Sequence, residues 1–376
     1  MAKAGIYIHI PFCARKCAYC DFYSLPYHAG EAKIYVTALI NQLRSFPRRE
    51  ADTVYLGGGT PSLLPPREIA RLLEAVARHM ALETGAEITL ELNPETAAPE
   101  RLAELRHAGI NQLSVGLQSA DDETLRRLGR RHTAAQAAQA IEQAAAAGFQ
   151  NISADVMLAL PGQTRALLET TLAAVGSLPV SHVSAYLLQL ADGTPFGQDP
   201  PPDLPDDDAQ AALYEQCVAQ LDALGFRQYE ISNFAKPGCE SRHNLKYWRC
   251  EDYIGLGPAA HSCWNGRRFR FAPDLPAYLR LYLNTPVPPA EEALLAEGPV
   301  TFEDFVMLRL RLSAGLNLDD LYELYKRKLN QRSVSFIVSC SRQNLLSFDG
   351  HTVRLTIKGM LVSNAIIAGI LWPPGA

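Results

Sequence analysis

Three cysteines, Cys13, Cys17 and Cys20, stand at C-x3-C-x2-C spacing in the run Ile8–Cys20. Three closely placed thiolates suit an iron–sulfur cluster. A [4Fe–4S] cluster usually takes four thiolates, so three from the protein leave one iron open to a small molecule. Structural zinc would need a fourth Cys or His close by, and none follows. His9 lies upstream on a strand-like stretch and is a poor fourth ligand. The alternatives are free loop thiols, or a zinc site completed from far along the chain. A second motif, Gly57-Gly58-Gly59-Thr60-Pro61, follows the apolar stretch Thr53–Leu56. A glycine run at a strand's C-terminal end lets backbone approach a ligand without Cβ interference. Its exposed N–H and C=O groups can hold a zwitterion.

These motifs need elements to position them, and strand and helix patterns alternate through the first two-thirds of the chain. Strands are predicted over Gly5–Ile10, Thr53–Leu56, Glu87–Leu92, Gln112–Leu117, Asn151–Leu158 and His182–Leu190. Helices are predicted after Pro66, with Ile69, Leu72, Leu73 and Val76 on one face, and over Pro99–Ala108, Ala134–Ala147 and Thr164–Leu178. Six β/α repeats fit a partial (β/α)6 barrel with right-handed crossovers, which places functional residues at the strands' C-terminal ends. The cysteine loop, the glycine turn, Glu91, Gln118 and Asp155 all fall at or near such ends. Ala191–Asp208, rich in Pro, Gly and Asp, reads as an exposed loop over one barrel face, and a helix follows over Ala209–Leu224.

Pro286, Pro288 and Pro289 mark a domain boundary, giving units of residues 1–285 and 290–376. The second unit shows helical patterns over Phe302–Leu312 and Leu318–Leu329. A hairpin signal follows, Asp349-Gly350 between Leu345–Phe348 and Thr352–Thr356. Helices followed by a hairpin predict a small α+β, winged-helix-like domain. It shows no basic recognition helix, and so reads as a cover or partner surface.

The 376 residues are 48% hydrophobic and 20% charged, an ordinary soluble globular composition, and the net charge of −5 gives no reason to expect nucleic acid. No signal peptide is visible, and the apolar stretch Met360–Trp372 is too short to span a bilayer. Eight cysteines without a secretion signal point to reduced thiols in the cytoplasm. Cys239, Cys250 and Cys263 could in principle form a second metal site, but their wide spacing favours dispersed core thiols. Gly255-x-Gly257-x-x-Ala260 matches a dinucleotide fingerprint only formally, since Pro258 sits inside it and no βαβ unit follows.

The segments Ile6–Phe22, Tyr55–Leu64, Leu90–Glu95, Leu113–Ser119, Leu128–His132, Asp155–Thr164 and His243–Trp248 resemble the oxygen-independent coproporphyrinogen oxidase group of the radical S-adenosylmethionine (SAM) superfamily. The resemblance runs from Gly5 to about Ser262 and returns at Arg354–Asn364. It implies cluster ligation by Cys13, Cys17 and Cys20. It also implies SAM contacts from Tyr7, Tyr19, Gly58, Gly59, Thr60, Glu91, Gln118, Arg130 and Asp155.

Several of these have a physical role that stands without the name. Glu91 is a strand-end carboxylate suited to accept ribose hydroxyls, or else a solvent-facing charge. Asp155 precedes the apolar Val156-Met157-Leu158, so it needs a partner, either a cofactor hydroxyl or Arg130 or Arg131. Tyr19, between two cluster ligands, is placed to pack on adenine or on its own loop.

Two features separate the group's heme-chaperone branch from the oxidases, and both point to the former. The oxidases carry a further cysteine two residues after the third ligand, where this chain has Phe22. The chaperones carry the pattern His243-Asn244-Leu245-Lys246-Tyr247. Imidazole and phenolate both ligate heme iron, and on a helix the i, i+4 spacing puts His243 and Tyr247 on one face. His261 is a second heme candidate.

The resemblance therefore implies a cytoplasmic heme chaperone binding heme, a [4Fe–4S] cluster and SAM. It would take heme from a donor of ferritin type and pass it to apo-hemoproteins such as membrane respiratory enzymes. Docking at the membrane would be peripheral, and a homodimer is compatible. The alternative is a radical enzyme acting on a tetrapyrrole, of the coproporphyrinogen III oxidase kind.

Overall fold

The computed structural model describes residues 3–28, 30–284 and 294–373. Strand β1 (Ala4–Ile10) leads into the cysteine loop, which is braced by a short parallel pair, β2 (Phe12–Cys13) and β3 (Leu25–Pro26). Then come β4 (Glu50–Gly58), β5 (Ala81–Leu92), β6 (Gln112–Gln118), β7 (Asn151–Leu158) and β8 (His182–Leu187). The order β1-β4-β5-β6-β7-β8 is parallel throughout, as six β/α repeats require. Helices α1 (Glu31–Leu43), α2 (Pro66–His79), α3 (Pro99–His107), α4 (Asp122–Arg127), α5 (Ala134–Ala146) and α6 (Arg165–Ser177) are the crossovers.

Side chains alternate across this sheet, as the strand period demands. Ile6, Ile8, Ile10, Val54, Leu56, Leu90, Leu113, Val115, Ile152, Ala154, Val156 and Val183 belong to the aliphatic core. The residues between them, Tyr7, His9, Tyr55, Glu91, Ser114, Gln118, Asp155 and Tyr186, point to the other face. Four strand steps separate β4 from β8, roughly 19 Å in a flat sheet. Gly58 of β4 and Tyr186 of β8 nevertheless line one pocket, so the sheet is curled into a partial barrel.

The sheet is larger than the six expected strands. β9 (Arg227–Gln228) and β10 (Asn233–Ala235) extend it antiparallel beyond β8. β11 (Tyr253–Leu256) pairs in parallel with β1 on the opposite side, and β12 (His261–Trp264), β13 (Arg267–Phe271) and β14 (Leu294–Pro299) continue antiparallel from it. These strands are two to six residues long and carry no strong signal. Helix α7 (Pro195–Gln198) interrupts the Pro-rich loop, whose Phe196 N–H donates to Ala18 O in the cysteine loop at 3.0 Å. Helix α8 (Asp207–Ala223) follows, then α9 (Arg242–Arg249) and α10 (Leu275–Asn284). The expected boundary at Pro286, Pro288 and Pro289 lies outside the described residues.

The C-terminal part runs α11 (Phe302–Arg309), β15 (Leu316–Asn317), α12 (Leu318–Tyr325), α13 (Gln331–Arg342), β16 (Leu346–Phe348) and β17 (Thr352–Leu355), then α14 (Ile357–Leu361) and α15 (Ser363–Leu371). Its three strands form a sheet of order β15-β17-β16, a winged-helix arrangement. Asp349 fixes the hairpin, its Oδ1 accepting the N–H groups of His351 and Thr352 at 2.9 and 2.7 Å. Helix α12 stops at Tyr325, short of the expected Leu329, because Lys326 adopts the left-handed conformation (φ 52°). Helices α1 and α13 were not expected from the sequence.

Candidate cofactor site

One pocket at the C-terminal ends of the parallel strands collects the three cysteines with Phe22, Gly58, Gly59, Thr60, Glu91, Asn93, Ser114, Gly116, Gln118, Arg130, Asp155, Tyr19 and Tyr186. The cysteine loop is clamped onto the glycine turn. Gly59 N–H donates to Ile10 O at 2.9 Å, Thr60 N–H to Phe12 O at 2.7 Å, and the Thr60 hydroxyl to Cys13 Sγ at 3.6 Å. A Cβ on Gly59 would lie 2.7 Å from Phe12 O, so glycine is required for this close approach. Gly58 N–H donates to Glu91 Oε2 at 3.0 Å. The N–H groups at 58, 59 and 60 are thus spent within the protein, so of the two kinds of backbone group expected to hold a zwitterion only the carbonyls are left to the turn.

Two carboxylates stand in the pocket. Glu91 accepts from Tyr55 Oη at 3.0 Å as well as from Gly58. Burial, with the charge of Asp155 added, pushes its carboxyl up to about 7. Asp155 accepts from Ser114 Oγ at 2.8 Å, and burial pushes it up to about 6. Its direct partners are therefore serines, Ser114 and Ser184, while Arg130 reaches it only through charge. Arg130 donates to Tyr19 Oη at 2.6 Å and to Asn93 Oδ1 at 3.4 Å, and its Nε is buried without a hydrogen-bond partner. Arg131 points away, to Glu95 at 3.8 Å. Gln118 ends β6 with φ 65°, a left-handed conformation rare for a residue other than glycine. Its Oε1 accepts from Tyr186 Oη at 3.3 Å.

Every residue expected at the SAM site lines this pocket except Tyr7. Tyr7 lies beneath it, paired with His9 Nδ1 at 3.0 Å and stacked on Tyr55. Sequence reasoning missed Asn93, Ser114, Gly116 and Tyr186. The signal for two of them was the i, i+2, i+4 face Ser114, Gly116, Gln118 of β6.

The heme candidates lie elsewhere. His243 and Tyr247 share one face of α9, as their spacing required, but they are paired with each other, His243 Nε2 to Tyr247 Oη at 2.8 Å. His243 Nδ1 is paired with Thr53 Oγ1 at 2.8 Å and the ring is wholly buried. Burial holds this imidazole down at about 3. Both ring nitrogens are spent, so His243 is not an open iron ligand in this conformation. His261 is exposed on β12.

Residues 7–175 match the radical SAM superfamily and residues 301–362 match the HemN C-terminal domain. The chain is 33% identical to heme chaperone HemW of Lactococcus lactis, over 97% of this chain and 96% of that one. It is 34% identical to HemW of Bacillus subtilis over 97% and 98%, and 42% identical to HemW of Escherichia coli over 68% and 69%. Coproporphyrinogen III oxidase (HemN) from Escherichia coli has the same fold, with TM-score 0.82 at 21% identity over 98% of this chain and 90% of that one.

The superfamily's cofactors, a [4Fe–4S] cluster and SAM, suit the pocket. Among the described residues no group of three His, Cys, Asp or Glu side chains is placed to hold a single metal ion. The three thiols instead share a pocket wall, as ligands to separate corners of a cluster do. Arg130 Nε lacks an acceptor and the two raised carboxylates call for donors or positive charge, so a ligand carrying both kinds of group, as a zwitterion does, would satisfy them together. With this pocket, this fold and relatives of such identity along nearly its whole length, the chain belongs to the HemW family of the radical SAM superfamily.

Proposed function

We propose that this protein is a cytoplasmic heme chaperone that holds a [4Fe–4S] cluster and SAM in the barrel mouth and passes heme to apo-hemoproteins, membrane respiratory enzymes among them. The observation that carries this reading is the likeness to relatives named heme chaperone HemW over 97% of the chain. Cys13, Cys17 and Cys20 would hold the cluster. Glu91, Gln118, Arg130 and Asp155 would hold SAM, with Tyr19 and the glycine turn beside it. When bound, the cluster supplies an open iron for the amino and carboxylate groups of SAM. Phe22 supports the chaperone reading: it stands where the oxidases carry a further cysteine, and it is 62% exposed at the pocket edge.

The segment after the barrel, to residue 285, would bind heme or partner, and residues 290–376 would form the second unit. Among the described residues no helix is long and apolar enough to cross a membrane, so the delivery step would use peripheral docking. A ferritin-type heme donor and a homodimer belong to the same reading. For His243 to reach iron, its bonds to Thr53 and Tyr247 must open.

The test is an anaerobic heme titration of cluster-reconstituted protein, followed by absorbance. Saturable binding near one heme per chain is the expected result, with His243→Ala and His261→Ala locating the ligand. Absence of saturable binding, together with turnover of coproporphyrinogen in the presence of SAM and reductant, would replace this reading by that of a tetrapyrrole enzyme.

A further inference from the structure

The stretch His243–Tyr247 forms α9, which closes the barrel at the end opposite the pocket. Glu87, on β5, caps this helix: its Oε2 accepts the Arg242 N–H at 2.9 Å and its Oε1 accepts the His243 N–H at 3.0 Å. Lys246 is buried, donates to Lys3 O at 2.9 Å and pairs with Asp52 at 2.9 Å. The helix is therefore pinned at residue 3, just before β1, at residue 52 near the start of β4, and at residue 87 of β5, which lies beside Thr53.

From this floor a chain of contacts runs up the barrel. His243 is held on both nitrogens, by Thr53 and by Tyr247. Its ring stacks on Tyr55, with centroids 5.4 Å apart and planes 22° from parallel. Tyr55 Oη donates to Glu91 Oε1, and Glu91 lines the cofactor pocket. Tyr55 and Glu91 meet over Gly57, where a Cβ would lie 2.8 Å from the tyrosine ring and 2.9 Å from the carboxylate oxygen. No other residue type leaves room for that contact.

We propose that α9 is a positioning device for the SAM pocket: His243, locked by Thr53 and Tyr247, holds Tyr55 in the rotamer that donates to Glu91, and so orients the carboxylate that meets SAM. The inference rests on the SAM reading of the pocket, and it uses the two His243 bonds that iron ligation by this residue would have to open. Tyr55, His243, Thr53 and Tyr247 are positioning residues, since none of them lines the pocket and Glu91 does.

The experiment is SAM binding by equilibrium dialysis to the cluster-reconstituted full-length chain, with iron content and melting temperature checked for each variant. Tyr55→Phe keeps the ring and removes the bond to Glu91, and should weaken SAM binding about tenfold, the usual scale for a hydrogen bond to a charged group. Thr53→Val and Tyr247→Phe should each weaken it severalfold, and neither should add to the loss in the Tyr55→Phe background. Thr53→Ser keeps the hydroxyl and should bind SAM as the unaltered chain does.

A purely packing role predicts the reverse order at position 53, because valine fills the threonine volume and serine does not. That order, additive losses, or unchanged binding by Tyr55→Phe would overturn the proposal. So would absence of SAM binding by the unaltered protein. A heme titration on the same samples separates any of these failures from failure of the chaperone reading.

Discussion

At the scale of single residues, the pocket is defined by which groups are satisfied and which are held ready. Glu91 is pushed up to about 7 and Asp155 to about 6, by burial in both cases. Their folded-state values lie above the ordinary carboxylate range, so both retain protons at pH values where an exposed carboxylate is ionised. The ionised form is the better acceptor for hydroxyl donors and the better partner for a sulfonium cation. SAM affinity should therefore rise as pH rises through about 6 to 7 and fall below it, with net proton release on binding near neutrality. Isothermal calorimetry in buffers of different ionisation enthalpy reads that release directly. Glu91→Gln should remove the upper part of the pH dependence, and an unchanged profile in that variant would sink the assignment. The cysteines give a second residue-scale prediction. Cys13→Ser, Cys17→Ser and Cys20→Ser should each lose iron and visible absorbance on reconstitution. Cys217→Ser should retain both, because Cys217 is wholly buried in the aliphatic core, where burial pushes its thiol up to about 12.

At the scale of elements, the parallel strands were legible because each places aliphatic residues on one face and chemistry on the other. On β7, Ile152, Ala154 and Val156 face the core while Ser153 and Asp155 face inward. Helix α1 buries Ala32, Tyr35, Val36, Leu39 and Leu43 at helical spacing, but Gly30 offers no capping side chain to mark its start in the sequence. Strands β9 to β14 were illegible because two- to six-residue strands are specified by the sheet edge they meet. For α9, the sequence carried the shared face of His243 and Tyr247, but a face does not say whether it looks at solvent or into the barrel. His182 at the start of β8 is a parallel case. Its Nδ1 is paired with Ser153 Oγ and its Nε2 with Tyr229 Oη, each at 2.7 Å, and burial lowers it to about 4. The unfolded chain takes up this proton first, near the ordinary histidine value. Stability contributed above that value is therefore lost as pH falls toward 4. His182→Gln should cost stability at neutral pH, by about 1–3 kcal/mol for the lost buried bonds. It should also make unfolding less pH-dependent, by up to about 1.4 kcal/mol per pH unit in that window. Urea unfolding at a series of pH values checks both, and parallel slopes for the two proteins would refute the buried-neutral assignment.

At the scale of the whole molecule, the two family matches, residues 7–175 and 301–362, suggest units that could stand apart, and the packing argues otherwise. Val306, Leu310, Leu316, Ile337, Val353 and Ile370 belong to the same continuous core as Ile6, Leu56 and Val156. The seam is hydrogen-bonded as a sheet edge would be. Ile231 N–H donates to Arg311 O at 3.1 Å, Ser313 N–H to Tyr229 O at 3.0 Å and Ser313 Oγ to Gln228 O at 2.9 Å, around a bridge between Glu230 and Leu312. Arg268 on β13 pairs with Asp304 on α11 at 3.1 Å. The barrel's plug is part of this seam, because α9 packs directly on α11. Unfolding of the C-terminal part would therefore bare the outer side of α9 and loosen the floor beneath His243, and with it the cofactor pocket. Thermal unfolding of the cluster-loaded chain should then be a single transition, with far-ultraviolet circular dichroism and cluster absorbance falling together. Val306→Asp, which buries an unpaired charge in α11, should lower both midpoints equally. Two separated transitions, or a Val306→Asp protein that loses ellipticity while its cluster band and SAM binding persist to the original temperature, would show instead that the C-terminal unit is a detachable cover whose loss the barrel does not feel.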